Sequence, residues 1–282
     1  MATARSQKFT GLLVGLLLLF VIAVAVATTS YVFRQKTVIL EQHLKEAENQ
    51  VRVFEEHLTQ SLNLTSLTLL GLAESIDYPE LGLPAEKKRQ QMNSRLEKTQ
   101  RRMMFLRSLS VADAQGQIMA SSEPANVGLH VDTAAYQPLS SETTNDLLRI
   151  GPSTQGRDFA DARPADPAQG IAPDALSFFP VVRTLDHCKQ QVKAIAALNP
   201  DYFLNHFGHH MDPQLTMAEV ISYDGRTLLS TNEIVNTGVL HFAGESLQQM
   251  LANEIGTLTE DHEGTRPVMT AYRASRSYPL FI

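Results

Sequence analysis

The sequence predicts an α+β protein: an N-terminal transmembrane helix, a long stalk helix, then two tandem units, each a five-stranded, largely antiparallel sheet with helices. Three observations predict it. An uncharged apolar run opens the chain, a heptad-spaced apolar stripe follows, and two strand–turn–strand patterns recur 109 residues apart. The 282 residues leave room for one large domain or two small ones after the first segment, at the usual ~100–200 residues per domain. A hydrophobic share of 43% with 19% charged residues fits a globular chain rather than a disordered one. The net charge of −6 argues against a nucleic-acid partner, and the single Cys188 excludes an internal disulfide framework or a multi-thiolate zinc site.

Residues 11–26 (GLLVGLLLLFVIAVAV) carry no charge, and the uncharged stretch runs on to Phe33. About 20 residues of helix cross a bilayer core, so 11–33 is assigned as a transmembrane anchor and 1–10 as a cytoplasmic N-terminus. Arg5 and Lys8 precede the run and Arg34 and Lys36 follow it, so local charge does not fix orientation. A cleaved signal peptide competes, because Ala25-Val26-Ala27 mimics a cleavage site. The length of the apolar run favours the anchor, with the bilayer as a partner.

Leu40, Leu44, Ala47, Val51, Phe54 and Leu58 then fall at gaps of 4, 3, 4, 3 and 4, with Glu41, Lys45, Glu46, Glu48, Arg52 and Glu55 between them. This predicts a long helix over 34–75. Two readings of its stripe stay open: the seam of a parallel homodimer, and one face packed on its own domain. A second helix follows from Pro84, with Glu86 in its first turn, to about Arg102. Its Lys and Arg residues read as a solvated face in an acidic chain.

From Met104 the apolar period moves toward two. MFLRSLSVAD turns at 113–116 into QIMASS, and AEVISYD turns at Asp224-Gly225 into RTLLST. Between the hairpins the sequence predicts a short helix around 132–140 and strands at 147–151, 176–184 and 190–198. Asn199-Pro200-Asp201 then opens a helix with Asn199 as N-cap. The second unit adds strands near 219–223 and 226–230, a helix at 245–254, and strands near 256–260, 267–275 and 278–282.

The segments LSVADAQGQIMASSEPANVGLHV, LLRIGPSTQGRDF, FFPVVR and AIAALNPDYFLNHF resemble the double-Cache sensor domain of bacterial transmembrane histidine kinases and diguanylate cyclases, with chemoreceptors as relatives. The resemblance covers nearly everything after the anchor. It implies two PAS-like subdomains, membrane-distal at 76–205 and membrane-proximal at 206–282, lying in the periplasm of a bacterial inner-membrane protein. It also implies a second transmembrane helix and an output module beyond residue 282. The implied function is small-molecule sensing for signal transduction. A chemoreceptor ligand-binding region, or a membrane-anchored interaction protein with degenerate pockets, are the alternatives. Amino-acid-sensing members carry an Arg-x-Trp-Tyr motif and a downstream Asp. This chain has no tryptophan, and the strand ending AIAALNP offers no matching acid, so amino-acid sensing is disfavoured.

No nucleophile, phosphate-loop, zinc-protease or Cys-x-x-Cys pattern is present, so no catalysis and no cofactor is expected. His206, His209 and His210 fall at helical i, i+3, i+4 spacing. Without a carboxylate or thiol partner they read as a polar helix end rather than a metal site. The segment 151–174 holds Pro152, Gly156, Pro164, Pro167, Gly170 and Pro173 and no credible strand or helix, the mark of a functional loop. With Tyr136 before it, Arg157 and Asp158 within it, and Phe179 and Arg183 on one strand face after it, this loop is the predicted ligand site. Two guanidiniums there suit a small carboxylate. Structural ion pairs compete for both arginines.

Overall fold

A computed structural model describes residues 2–76, 85–139, 147–166, 168–187, 190–209, 211–212, 216–232, 234–260 and 268–282. It divides into two compact units, residues 1–49 and 50–282.

One helix, α1 (Ala2–Ile76), takes in both the expected anchor and the expected stalk. It is long and apolar enough to cross a membrane. In the first unit, Leu17 to Phe20, Phe33, Val38, Ile39 and Leu40 are exposed. In the second unit the stripe continues as Phe54, Leu58, Leu62, Leu69 and Leu72, all buried in the main core. Phe54 and Leu58 therefore belong to an intramolecular core rather than to a dimer seam, a correction to that reading of the heptads. Phe54 packs on Phe207 with ring centroids 4.3 Å apart.

Helix α2 (Ala85–Gln100) sets Leu96 into the same core, and Asn93 Oδ1 accepts from the Ser121 amide at 3.0 Å. The first sheet has seven strands: β1 (Leu106–Ala112), β2 (Ile118–Ser121), β3 (Arg149–Ile150), β4 (Thr154–Gln155), β5 (Arg163–Pro164), β6 (Ser177–His187) and β7 (Gln190–Leu198). Its order is β2-β1-β7-β6-β4-β5, with β3 also on β6. Helix α3 (Pro200–Gly208) follows, capped by Asn199, whose side chain accepts from the Asp201 amide. The second sheet joins β8 (Glu219–Ser222), β9 (Thr227–Ser230), β10 (Ile255–Glu260), β11 (Val268–Arg273) and β12 (Leu280–Phe281), with α4 (Gly244–Ala252) before β10. β12 pairs with β8, and reciprocal bonds between Arg273 and Ile282, each 3.0 Å, attach β11 to β12. The order β9-β8-β12-β11-β10 thus repeats that of the first sheet, where β7, β6 and then β3 or β4 succeed β1.

The repeat extends to single hydrogen bonds. The Leu109 amide donates to Ser122 Oγ at 2.9 Å and the Ser122 amide to the Leu109 carbonyl at 2.8 Å. The Ala218 amide donates to Thr231 Oγ1 at 2.8 Å and the Thr231 amide to the Ala218 carbonyl at 2.9 Å. Gly116 and Gly225 both take positive φ, +96° and +83°. A Cβ on either would strike a backbone oxygen, that of Val131 or Phe242, so each hairpin demands glycine.

Two local expectations change. Residues 132–139 form turns rather than the start of a helix; residues 140–146 lie outside the described residues. The backbone carbonyls a helix would use there are taken by a buried cation, described below. The segment 151–174 is not structureless: it contributes β4, a 3-10 turn (Phe159–Asp161) and β5.

Candidate functional site

A cavity of about 620 Å³ opens on the face of the first sheet away from α1. Three segments wall it. The first is the turn before β3, carrying His130, Asp132, Tyr136 and Gln137. The second is the loop from Gly151 to Ala165, with Phe159, and the strand residues Phe178 and Pro180 beneath it. The third comes from the second sheet, with Ser222, Asp224, Arg226, Leu228 and Gly238.

The turn is built around Arg149, buried on β3. Its Nε donates to the Pro138 carbonyl at 2.8 Å, and its Nη2 to the carbonyls of Thr133 and Tyr136, both at 2.9 Å. Burial lowers the guanidinium from its ordinary value. Asp132 accepts from the Ala134 amide at 2.9 Å, and Gln137 exchanges backbone bonds with Ile150. The result places the Tyr136 ring against Gly151, where a Cβ would stand 2.7 Å from the ring and 2.8 Å from Pro180 Cγ. Burial, then Asp132, holds the Tyr136 phenol far above its ordinary range, so it is a neutral hydrogen-bonding group at physiological pH.

The loop is pinned at three places. Ser153 Oγ donates to the Leu228 carbonyl at 2.6 Å, tying it to the second sheet. Asp158 accepts from Ser108 Oγ and from the Phe159 amide, each at 2.8 Å. Asn126 Oδ1 accepts from the Ala160 amide at 2.9 Å. Phe159 is thereby set edge-on against Phe178, with centroids 5.1 Å apart. On the opposite wall Arg226 faces Asp224 at 3.5 Å and donates to the Gly238 carbonyl at 3.0 Å; the Ser222 hydroxyl donates to Asp224.

Of the predicted site residues, the structure brings Tyr136 into this cavity. Asp158 is buried just behind it and serves as the cap of the 3-10 turn; burial raises its carboxyl above the ordinary value. Arg157 is exposed and contributes backbone, its amide to Asp161 and its carbonyl to Arg107 Nη1 at 3.0 Å. Phe179 and Arg183 do share a strand face, but it is the α1 face. Phe179 packs toward Phe203 of α3, and Arg183 Nη1 donates to Ser66 Oγ of α1 at 2.6 Å. Alternation along β6 leaves the cavity face to Phe178, Pro180 and Val182. The two arginines therefore do not converge, a correction to the geometry on which the carboxylate expectation rested. Sequence reasoning missed Arg149, Asp132, Phe178 and the Asp224–Arg226 pair.

The histidines do not gather. His206 stacks on His57 of α1 with centroids 3.9 Å apart, His209 caps α3, and His210 lies outside the described residues. Among the described residues no group of three or more His, Cys, Asp or Glu side chains is placed to hold a metal.

No family model and no curated protein matches the sequence. Solved structures match its fold. The extracellular domain assigned to the histidine kinase rpHK1S-Z16 aligns with a TM-score of 0.64 at 19% identity, over 86% of this chain and 94% of that one. The sensory domain of the Campylobacter jejuni chemoreceptor Tlp3, with isoleucine bound, aligns at 0.56 and 13% identity, over 88% and 94%. A domain assigned to the sensory box/GGDEF family from Vibrio parahaemolyticus aligns at 0.56 and 13%, over 86% and 94%. By fold the chain stands with extracellular sensory domains of signalling proteins. The expected α+β plan of two successive antiparallel sheets with helices is the one it has, but the first sheet carries seven strands where five were expected, because the segment 151–174 adds short strands of its own.

Proposed function

We propose that this chain is the periplasmic ligand-sensing region of a bacterial inner-membrane signalling protein, a histidine kinase or diguanylate cyclase front end. Residues 11–33 anchor it, and a small molecule occupies the 620 Å³ cavity. The observation that carries this reading is the cavity's construction. Its volume lies in the range of small-molecule sites, its floor is aromatic and aliphatic, and backbone hydrogen bonds fix its polar side chains Asp132, Ser153 and Arg226. Both sheets contribute walls, so occupancy changes what the second sheet touches, as a sensor requires.

The charged side chains on the described walls are Asp132, Asp224 and Arg226, and Arg226 already faces Asp224. This balance supports a ligand with an apolar body and a hydrogen-bond-donating or cationic end near Asp132 and the Tyr136 phenol. The carboxylate expected from Arg157 and Arg183 has no such pair of cations here. No catalytic role is assigned to these residues. In the full protein the exposed stripe of α1 below Val51 serves a parallel homodimer.

A thermal-shift screen of the full chain in lipid nanodiscs against a metabolite library tests the reading. Hits are expected, and Ala162→Phe, which fills the cavity from a solvent-exposed position, removes the response without lowering the ligand-free melting temperature. Hits that stabilise Ala162→Phe as much as the unaltered chain would exclude this cavity.

A further inference from the structure

We propose a second binding site, for a small oxyanion, in a cavity of about 410 Å³ between β6, α1 and the turn 275–279, with Arg183 and Arg276 as its anion-binding groups. It stands independently of the first cavity, with which it shares only Pro279 as wall.

The chemistry of the walls is one-sided. Asn63 and Ser66 of α1, Arg183 of β6, and Tyr223, Arg276 and Tyr278 supply polar atoms, and no described wall residue is acidic. Arg183 is only half satisfied. Nη1 donates to Ser66 Oγ at 2.6 Å, while Nε is buried with no hydrogen-bond partner among the described residues. A buried donor on a charged group is ordinarily paired, and an acceptor from outside the chain answers it. Ser66, having accepted from Arg183, keeps its own proton to donate. Arg276 has an exposed side chain whose nearest acid, Glu254, is 3.9 Å away and equally exposed, so solvent screens that pair and leaves the guanidinium available. Tyr278 donates to Asn63 Oδ1 at 2.7 Å, and burial pushes its phenol up to about 12, so it adds no negative charge.

Two guanidiniums and a hydroxyl line one space whose described walls carry no carboxylate, the exposed Glu254 beside Arg276 lying outside them, and they match the acceptor-only oxygens of a carboxylate or a phosphate. A bound oxyanion there bridges α1, the first sheet and the end of the second, through Ser66, Arg183 and Arg276. This reassigns the anion-binding role inferred for Arg183 to the other face of its strand.

The test uses the full chain in nanodiscs, titrated by calorimetry with inorganic phosphate and with succinate, against sodium chloride at matched ionic strength. Arginine side-chain NMR follows the Nε–H of Arg183. Saturable binding of either anion, with a shift of that resonance, is expected. Arg276→Ala, at an exposed position, and Arg183→Lys, which keeps the charge but loses Nε, are each expected to weaken it at least fivefold. Binding of phosphate alone or succinate alone identifies the oxyanion and supports the proposal equally. No saturable binding beyond chloride, or Arg276→Ala binding with unaltered affinity, overturns it, whether or not Arg183→Lys folds.

Discussion

The Arg149 guanidinium donates a 2.9 Å hydrogen bond to the backbone carbonyl of Tyr136, so a buried cation on the sheet sets the ring that walls the main cavity. The same side chain satisfies the carbonyls of Thr133 and Pro138. It is a positioning residue: its role reaches the cavity through the turn it holds. Replacing it with lysine leaves buried carbonyls without donors, at about 1–3 kcal/mol for each such group. Arg149→Lys is expected to lower stability by at least ~2 kcal/mol in denaturant unfolding. It should also weaken any cavity ligand more than Arg157→Ala does, since Arg157 meets the site only through its backbone.

Gly151 is required by space rather than by backbone angle. A methyl there meets both the Tyr136 ring and Pro180 within 2.8 Å, and both are buried. Gly151→Ala is expected to cost about 1–3 kcal/mol through overpacking. It should also impair ligand binding, because the ring that gives way is the cavity wall. Chemical denaturation and calorimetry on the same variant separate the two effects.

Along α1 the heptad stripe passes from exposed to buried. Leu40 is 44% exposed, whereas Phe54 and Leu58 are 1% exposed inside the second unit. Cysteine scanning of residues 38–58, with Cys188 replaced by serine, is expected to give intersubunit crosslinks at 40, 44 and 47, fading at 51 and absent at 54 and 58. No crosslink at any position would remove the homodimer, whereas crosslinks that peak at 54 and 58 would contradict the burial of Phe54 and Leu58 within one chain.

Burial, then the neighbouring His206, lowers His57 below its ordinary value near 6.5. The unfolded chain therefore binds more protons than the folded one between the lowered value and 6.5. Stability must rise with pH through that window and level off above it. Melting temperatures from pH 5 to 8 are expected to fall on the acid side. His57→Phe, which retains an aromatic ring for the stack, flattens that slope. An equal slope in the variant would place the acid sensitivity elsewhere.

Much of the fold was legible because its signals are local. The turn glycines at 116 and 225, the Asn199-Pro200 helix start and the 109-residue repeat each rest on a short stretch whose conformation few other contacts override. The cavity was half legible. Tyr136 and the Gly/Pro-rich loop were readable, but the face of β6 was not. Residues 178–182 (FFPVV) are buried on both sides of the sheet, so no alternation of polar and apolar residues marks which side holds the ligand space. Parity then turns the whole set, sending Arg183 to α1 and Phe178 to the cavity. Arg149 escaped for a different reason. Its partners are backbone carbonyls eleven to sixteen residues away, and carbonyls leave no mark in a sequence.

The central claim is that a small molecule is sensed in the cavity shared by the two sheets, and a crystal structure of the chain with the strongest screening hit tests it most directly. The account predicts the ligand between Phe159 and Phe178, with its polar end at Asp132 and Tyr136 and the second-sheet wall at Arg226 in contact. A ligand found elsewhere on the chain, with that space filled only by solvent, would contradict it.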